Sequence, residues 1–206
     1  MPIFFQQSIN DTTRLGIWKI EEIEDFFKRN VPQHRDVTHP HKRLQHLAGR
    51  FLLQYLFPDF PYELIQIADT RKPFLRDEQF HFSISHCGDY AAAIVSKNKR
   101  VGIDIEIPTP KVETIIHKFL SRKEQQLFHV SSLIPHQPAL TTLLWSAKEA
   151  IFKWNGSMGV NFIEHIRLEK QHEENETIDC IFTKLNKRLS LHYRLFDHLT
   201  LAWVMS

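Results

Sequence analysis

Residues 101–108 read VGIDIEIP, and this stretch constrains the fold more than any other. Val101, Ile103, Ile105 and Ile107 alternate with Gly102, Asp104, Glu106 and Pro108. Apolar β-branched residues at every second position predict a strand with one buried face. Asp104 and Glu106 then project from the same side, about 7 Å apart by strand geometry. Two carboxylates held there repel each other, so they must either face water or meet a cation.

The remaining chain supplies helices between strands. RLGIWKI (14–20) reads as a strand and EEIEDFFKRN after it as a short helix. From residue 40 to 57, Leu44, Leu47, Ala48, Phe51 and Tyr55 form one apolar stripe at helical spacing, with Arg43, His46 and Arg50 on its flank. Pro58 and Pro61 stop that helix. YELIQIAD reads as a strand and TRKPFL as a turn. FHFSISH and YAAAIVS flank Gly88 and Asp89, the residues of a hairpin turn. KVETIIHKFL reads as a helix, and Ser121 with Glu124 forms a capping box that starts another. QPALTTLLWSAKEAIFKWNG carries the clearest helical stripe, through Leu140, Leu143, Leu144, Ala147, Ala150, Ile151 and Trp154, and Gly156 is placed to end it. FIEHIRLE, TIDCIFTK, LSLHYRLF and LTLAWVM read as four closing strands.

The class is therefore α+β. LGI at 15–17 and VGI at 101–103 each open a run of helices followed by strands, which predicts two similar halves, 1–100 and 101–206, with no linker long enough to make them independent. A chain of 206 residues, 42% hydrophobic and 24% charged, can bury a core in either arrangement. The net charge of +2 is too mild to point to nucleic acid. Cys87 and Cys180 have no metal-ligand spacing and read as reduced thiols of a cytoplasmic protein. Neither a leader-like N-terminus nor a membrane-spanning apolar run is visible, so a soluble intracellular protein is expected. Four of the thirteen histidines fall in QHRDVTHPHKRLQH, at no familiar metal spacing, and that segment reads as solvated and basic.

Glu149 lies nearly opposite the stripe of the 140–154 helix, and Lys153 follows one turn later. Alone, this is a solvated ion pair. Taken together, VGIDIE and the later WSAKEAIFK resemble the paired signature of the 4′-phosphopantetheinyl transferases, in the larger monomeric type that activates the surfactin synthetase. HLAGR, RKP at 71–73, FSISHCGDYAAAIV and the capping box occur in the order that family has them, and the resemblance spans about residues 40–165.

That resemblance implies a pseudo-dimer of two similar α+β halves with the active site between them. It implies transfer of the phosphopantetheine arm of coenzyme A to a serine of an apo acyl or peptidyl carrier protein, releasing 3′,5′-adenosine bisphosphate. Asp104, Glu106 and Glu149 would hold Mg²⁺, a hard cation suited to oxygen ligands. Glu149 would also be the general base, and Lys153 would stabilise developing negative charge; Lys148 is a less well-directed candidate for that second role. Arg50, Lys72, Ser85 and His86 match family positions that contact coenzyme A, with Arg43 beside them. Arg71 stands where the family usually has glycine, and Cys87 where serine is common. Lys118, Arg122 and Lys123 beside Phe119 and Leu120 suggest a docking face for an acidic carrier. A Mg²⁺-dependent nuclease and a non-catalytic module that binds coenzyme A or carrier protein are the alternatives. The nuclease lacks its usual glutamate–lysine pair on a strand, and the module has no need of four catalytic-type residues.

Overall fold

The computed structural model describes residues 3–32, 37–68, 72–131 and 138–206. Its contacts gather into two compact units, Met1–Ile103 and Asp104–Ser206.

The first unit contains strands β1 (Ile3–Asn10) and β2 (Thr13–Lys19), helices α1 (Glu24–Asn30) and α2 (Pro40–Leu56), the short strands β3 (Ile65–Ile67) and β4 (Pro73–Leu75), and the hairpin of β5 (His81–Cys87) and β6 (Tyr90–Ser96). Its main sheet has the order β1-β2-β6-β5. The hairpin is the expected one: Cys87 pairs with Tyr90, and Gly88 takes the positive φ of 48° that the first central position needs. Two expectations changed. β1 was not foreseen, since IFFQQSIN alternates poorly, and it is held by pairing with β2 from Ile3↔Trp18 to Asn10↔Thr13. Pro73 begins a strand rather than a turn, because it stands first in β4, opposite Ile67, where its missing N–H is tolerated.

Helix α2 starts with Pro40 in its first turn and His39 Nδ1 accepting from the Lys42 N–H. Its buried face runs through Leu47, Ala48, Leu52, Leu53 and Leu56, packed with Trp18, Phe27, Phe60 and Phe82, while Leu44, Phe51 and Tyr55 of the expected stripe are only partly buried against that core. Gly49 lets helix and sheet meet: a Cβ there would lie 2.5 Å from Ile84 Cγ2 on β5.

In chain order there follow β7 (Val101–Glu106), which crosses the boundary between the units, then α3 (Lys111–Thr114), α4 (Arg122–Leu127), α5 (Pro138–Asn155), α6 (Phe162–His165), β8 (Ile166–His172), β9 (Thr177–Phe182), β10 (Lys187–Phe196) and β11 (Leu199–Met205). The sheet order is β7-β11-β10-β9-β8. Both sheets thus share an inner pattern, an early strand beside the last strand and the last beside the one before it: β2-β6-β5 and β7-β11-β10. This is the α+β repeat anticipated from the order of elements.

Helix α5 packs on β11, and Leu143, Leu144, Ala147, Ala150, Ile151 and Trp154 enter a core with Ile166, Ile178, Phe182, Leu191 and Val204. Gly156, with φ of 70°, ends the helix as anticipated. Two other segments differ from expectation. KVETIIHKFL breaks into α3 and a separate 3-10 turn at Ile116–Lys118, which sends Val112, Ile116, Phe119 and Leu120 inward. FIEHIRLE begins as helix α6, since the Asn161 side chain caps the N–H groups of Ile163 and Glu164. Among the described residues, no helix is long and apolar enough to cross a membrane.

Candidate active site

Asp104 and Glu106 come from β7, which was expected to bury one face. The structure instead buries every residue from Val101 to Ile105. Alternation identifies the two faces of a strand but not what covers the second one. Here the backbone is also taken up laterally, with the Ile103 N–H donating to Ser83 Oγ at 3.2 Å. Asp104 is consequently only 2% exposed.

A buried carboxylate needs a charged partner. Lys153, near the end of α5, donates from Nζ to Asp104 Oδ1 at 2.7 Å. Glu149 lies one turn earlier on that helix, half-buried rather than solvated. Burial raises its carboxyl to about 7, with the charge of Asp104 adding and that of Lys153 opposing. Glu106 is also pushed up to about 7, first by burial, then by Asp104 and more weakly by Glu149; Lys153 and a hydrogen bond from Trp145 act the other way. Three carboxylates therefore share one electrostatic neighbourhood with the Lys153 ammonium. A cleft of about 370 Å³ opens beside Glu106, bounded by Lys111, Val112, Ile115 and Trp145 among others.

The chemistry of this set fits a hard divalent cation: its donors are all oxygen, and two of the acids are raised to about 7 by burial and by the neighbouring charge of Asp104. It is not a ready-made cage. Among the described residues no three His, Cys, Asp or Glu side chains are gathered closely enough to hold an ion as they stand. Lys153 supplies a cation to Asp104.

The residues expected to meet coenzyme A belong to the first unit. Arg50 is buried in α2, with its backbone carbonyl accepting from the Tyr62 hydroxyl at 2.6 Å. Lys72 is half-buried, and burial, with the nearby Arg100, lowers its ammonium to about 8. Ser85 is buried on β5 and His86, next to it, is exposed. Arg43 is engaged elsewhere: Nε and Nη2 donate to both carboxylate oxygens of Glu24 at 2.8 and 2.7 Å, and Nη1 to the carbonyls of Val37 and Thr38. That fork ties α1 to α2. Arg71 lies outside the described residues. Cys87 ends β5 with its side chain buried.

Two other expectations are corrected. Phe119 and Leu120 are core residues, 0% and 1% exposed, and offer nothing to a docking partner; Leu127 is the exposed apolar side chain beside Arg122 and Lys123. Lys148 faces away from the carboxylates and is fully buried on Glu124, its Nζ 2.7 Å from Oε1. Sequence reasoning also missed Trp145 as the partner of Glu106, although it stands one helical turn before Glu149 and on the same side.

Comparison with known proteins shows what the chain is similar to. The sequence model of the ACPS family, the 4′-phosphopantetheinyl transferase superfamily, matches residues 100–204. The enterobactin synthase component D of Salmonella austin is 37% identical over 113 residues, which cover 54% of this chain and 47% of that protein. The 4′-phosphopantetheinyl transferase psf-1 of Bacillus pumilus is 34% identical over 122 residues, 56% of this chain and 51% of that protein. The component D of Escherichia coli K12 is 30% identical over 158 residues, 71% of this chain and 75% of that protein. The chain thus spans about half the length of the first of these relatives.

Proposed function

From the premise that the chain belongs to the 4′-phosphopantetheinyl transferase superfamily, we propose that it transfers the phosphopantetheine arm of coenzyme A to a serine hydroxyl of an apo acyl or peptidyl carrier protein. The serine oxygen forms a new bond to the phosphorus that carries the arm. The anhydride bond to the adenosine-side phosphate breaks, and 3′,5′-adenosine bisphosphate departs.

The observation that carries this reading is the coupling of Asp104, Glu106 and Glu149 around Lys153. These three carboxylates would hold Mg²⁺, whose contribution when bound is charge neutralisation at the diphosphate. Glu149, raised to about 7, suits acceptance of the serine proton near neutral pH. Lys153 keeps an ammonium in the same neighbourhood, where it can offset charge building on the leaving phosphate. Lys72 and Arg50 are cations withdrawn from water, a condition that strengthens their attraction for phosphate. Ser85 and His86 would add hydrogen bonds there, and the cleft beside Glu106 offers room for the arm or the incoming loop. The protein would act as a monomer in the cytoplasm.

The test is to incubate the protein with coenzyme A, Mg²⁺ and a panel of apo carrier proteins, then weigh the carriers by mass spectrometry. Gain of one phosphopantetheine per carrier is the expected result; no gain on any carrier in the panel would refute the assignment.

A further inference from the structure

Outside the carboxylate cluster, a second charged group is sealed into the core at the residue immediately before Glu149. Lys148 is 0% exposed, yet its ammonium is fully provided for. Nζ lies 2.7 Å from Glu124 Oε1 and donates to the carbonyls of Phe162 at 2.9 Å and Ile166 at 2.8 Å. Those two carbonyls bracket α6. Glu124 is as fully used. Its Oε2 accepts from the Ser121 N–H at 2.8 Å, closing the capping box of α4, and its Oε1 accepts from the Leu168 N–H at 3.0 Å. One ion pair therefore joins the start of α4, the middle of α5, both ends of α6 and the beginning of β8.

Burying such a pair gains little net stability over a well-packed apolar one, so stability alone does not explain it. Its bonds are directional, however, whereas the apolar stripe of α5 tolerates small rotations. Successive helical residues point about 100° apart. Fixing Lys148 therefore fixes where Glu149 leaves the helix, and Lys153 after it. We infer that Lys148 and Glu124 are positioning residues, which set the rotation of α5 and so aim Glu149 and Lys153 at Asp104. This inference rests on the proposed transfer reaction for its catalytic meaning, but its geometric content is independent of it.

The test replaces both partners at once, Lys148→Met with Glu124→Gln, so that no charge is left buried alone, and adds Lys148→Arg as the conservative variant. Mn²⁺ binding by calorimetry, thermal melting and transfer kinetics are read on the full chain. We expect the double variant to melt within a few degrees of the parent. Its Mn²⁺ affinity and kcat should fall at least about tenfold while KM for coenzyme A changes less than about threefold, and Lys148→Arg should recover part of the loss. A folded double variant with parental Mn²⁺ affinity overturns the inference, whether or not the parent transfers anything. A parent that binds Mn²⁺ in the expected way but modifies no carrier overturns the functional reading instead.

Discussion

Helix α5 carries two lysines that each meet an acid at 2.7 Å, and the two pairs behave differently. The Lys148–Glu124 pair is sealed: neither side chain exceeds 5% exposure, and the further bonds of both run to backbone groups of neighbouring elements. The Lys153–Asp104 pair joins a buried acid to a lysine side chain 25% exposed, beside two more carboxylates raised to about 7. Equal distances thus mark a fastening in one case and a site in the other. What separates them is the surrounding charge: the sealed pair is balanced, whereas around Lys153 acids outnumber the base.

The largest effect that sharpens this contrast is on turnover. Glu149→Ala or Asp104→Ala should reduce transfer by roughly 10²–10⁴-fold, the usual range for losing an acid–base group, without lowering the melting temperature appreciably. Parental turnover in either variant would break the distinction. The sealed pair should respond in stability. Lys148→Met alone leaves Glu124 buried without its counter-charge, at a cost of about 3–5 kcal/mol. For a chain of this size that lowers the melting temperature by roughly 10 °C, readable by circular dichroism. Lys153→Met likewise leaves the buried Asp104 without this counter-charge, so it should destabilise as well, and it should slow transfer by roughly 10²–10³-fold, as for loss of a single electrostatic contact.

A further effect is on pH dependence. Glu106 and Glu149 hold their protons to about 7 when folded, against an ordinary value of 4.5. Between those limits the folded state binds more protons than the unfolded one, so these two groups make stability fall as pH rises from 4.5 to 7 and add no slope above it. Urea midpoints measured without divalent ions should decline across that window, and millimolar Mg²⁺ at pH 8 should restore part of the loss. A midpoint that Mg²⁺ leaves unmoved would count against a cation site.

The sequence already displayed much of this. The stripe of α5, its stop at Gly156, the Gly88 turn and the Ser121–Glu124 capping box each rest on local physics and appear as expected. The short helix α6 carried a readable signal too, Asn161 three residues before Glu164, but alternating hydrophobicity in FIEHIRLE pointed to a strand and masked it. Lys148 was not legible. A lysine in an amphipathic helix is ordinarily solvated, and its acceptors, the carbonyls of Phe162 and Ile166, carry no side-chain signature. The complete burial of β7 was hidden for a related reason, since what covers a strand comes from distant sequence. At the site, the spacing of Asp104, Glu106 and Glu149 was visible, while the seating of Lys153 on Asp104 required the folded chain.

The near-contact between Gly49 and Ile84 has a corollary for substitution. Ile84 presents a stiff branched methyl, so even alanine at position 49 would lever the helix off its sheet. The two positions are therefore sterically coupled: room for a side chain at 49 has to come from position 84. In this chain, then, a larger residue at position 49 is tolerated only beside a smaller one at position 84.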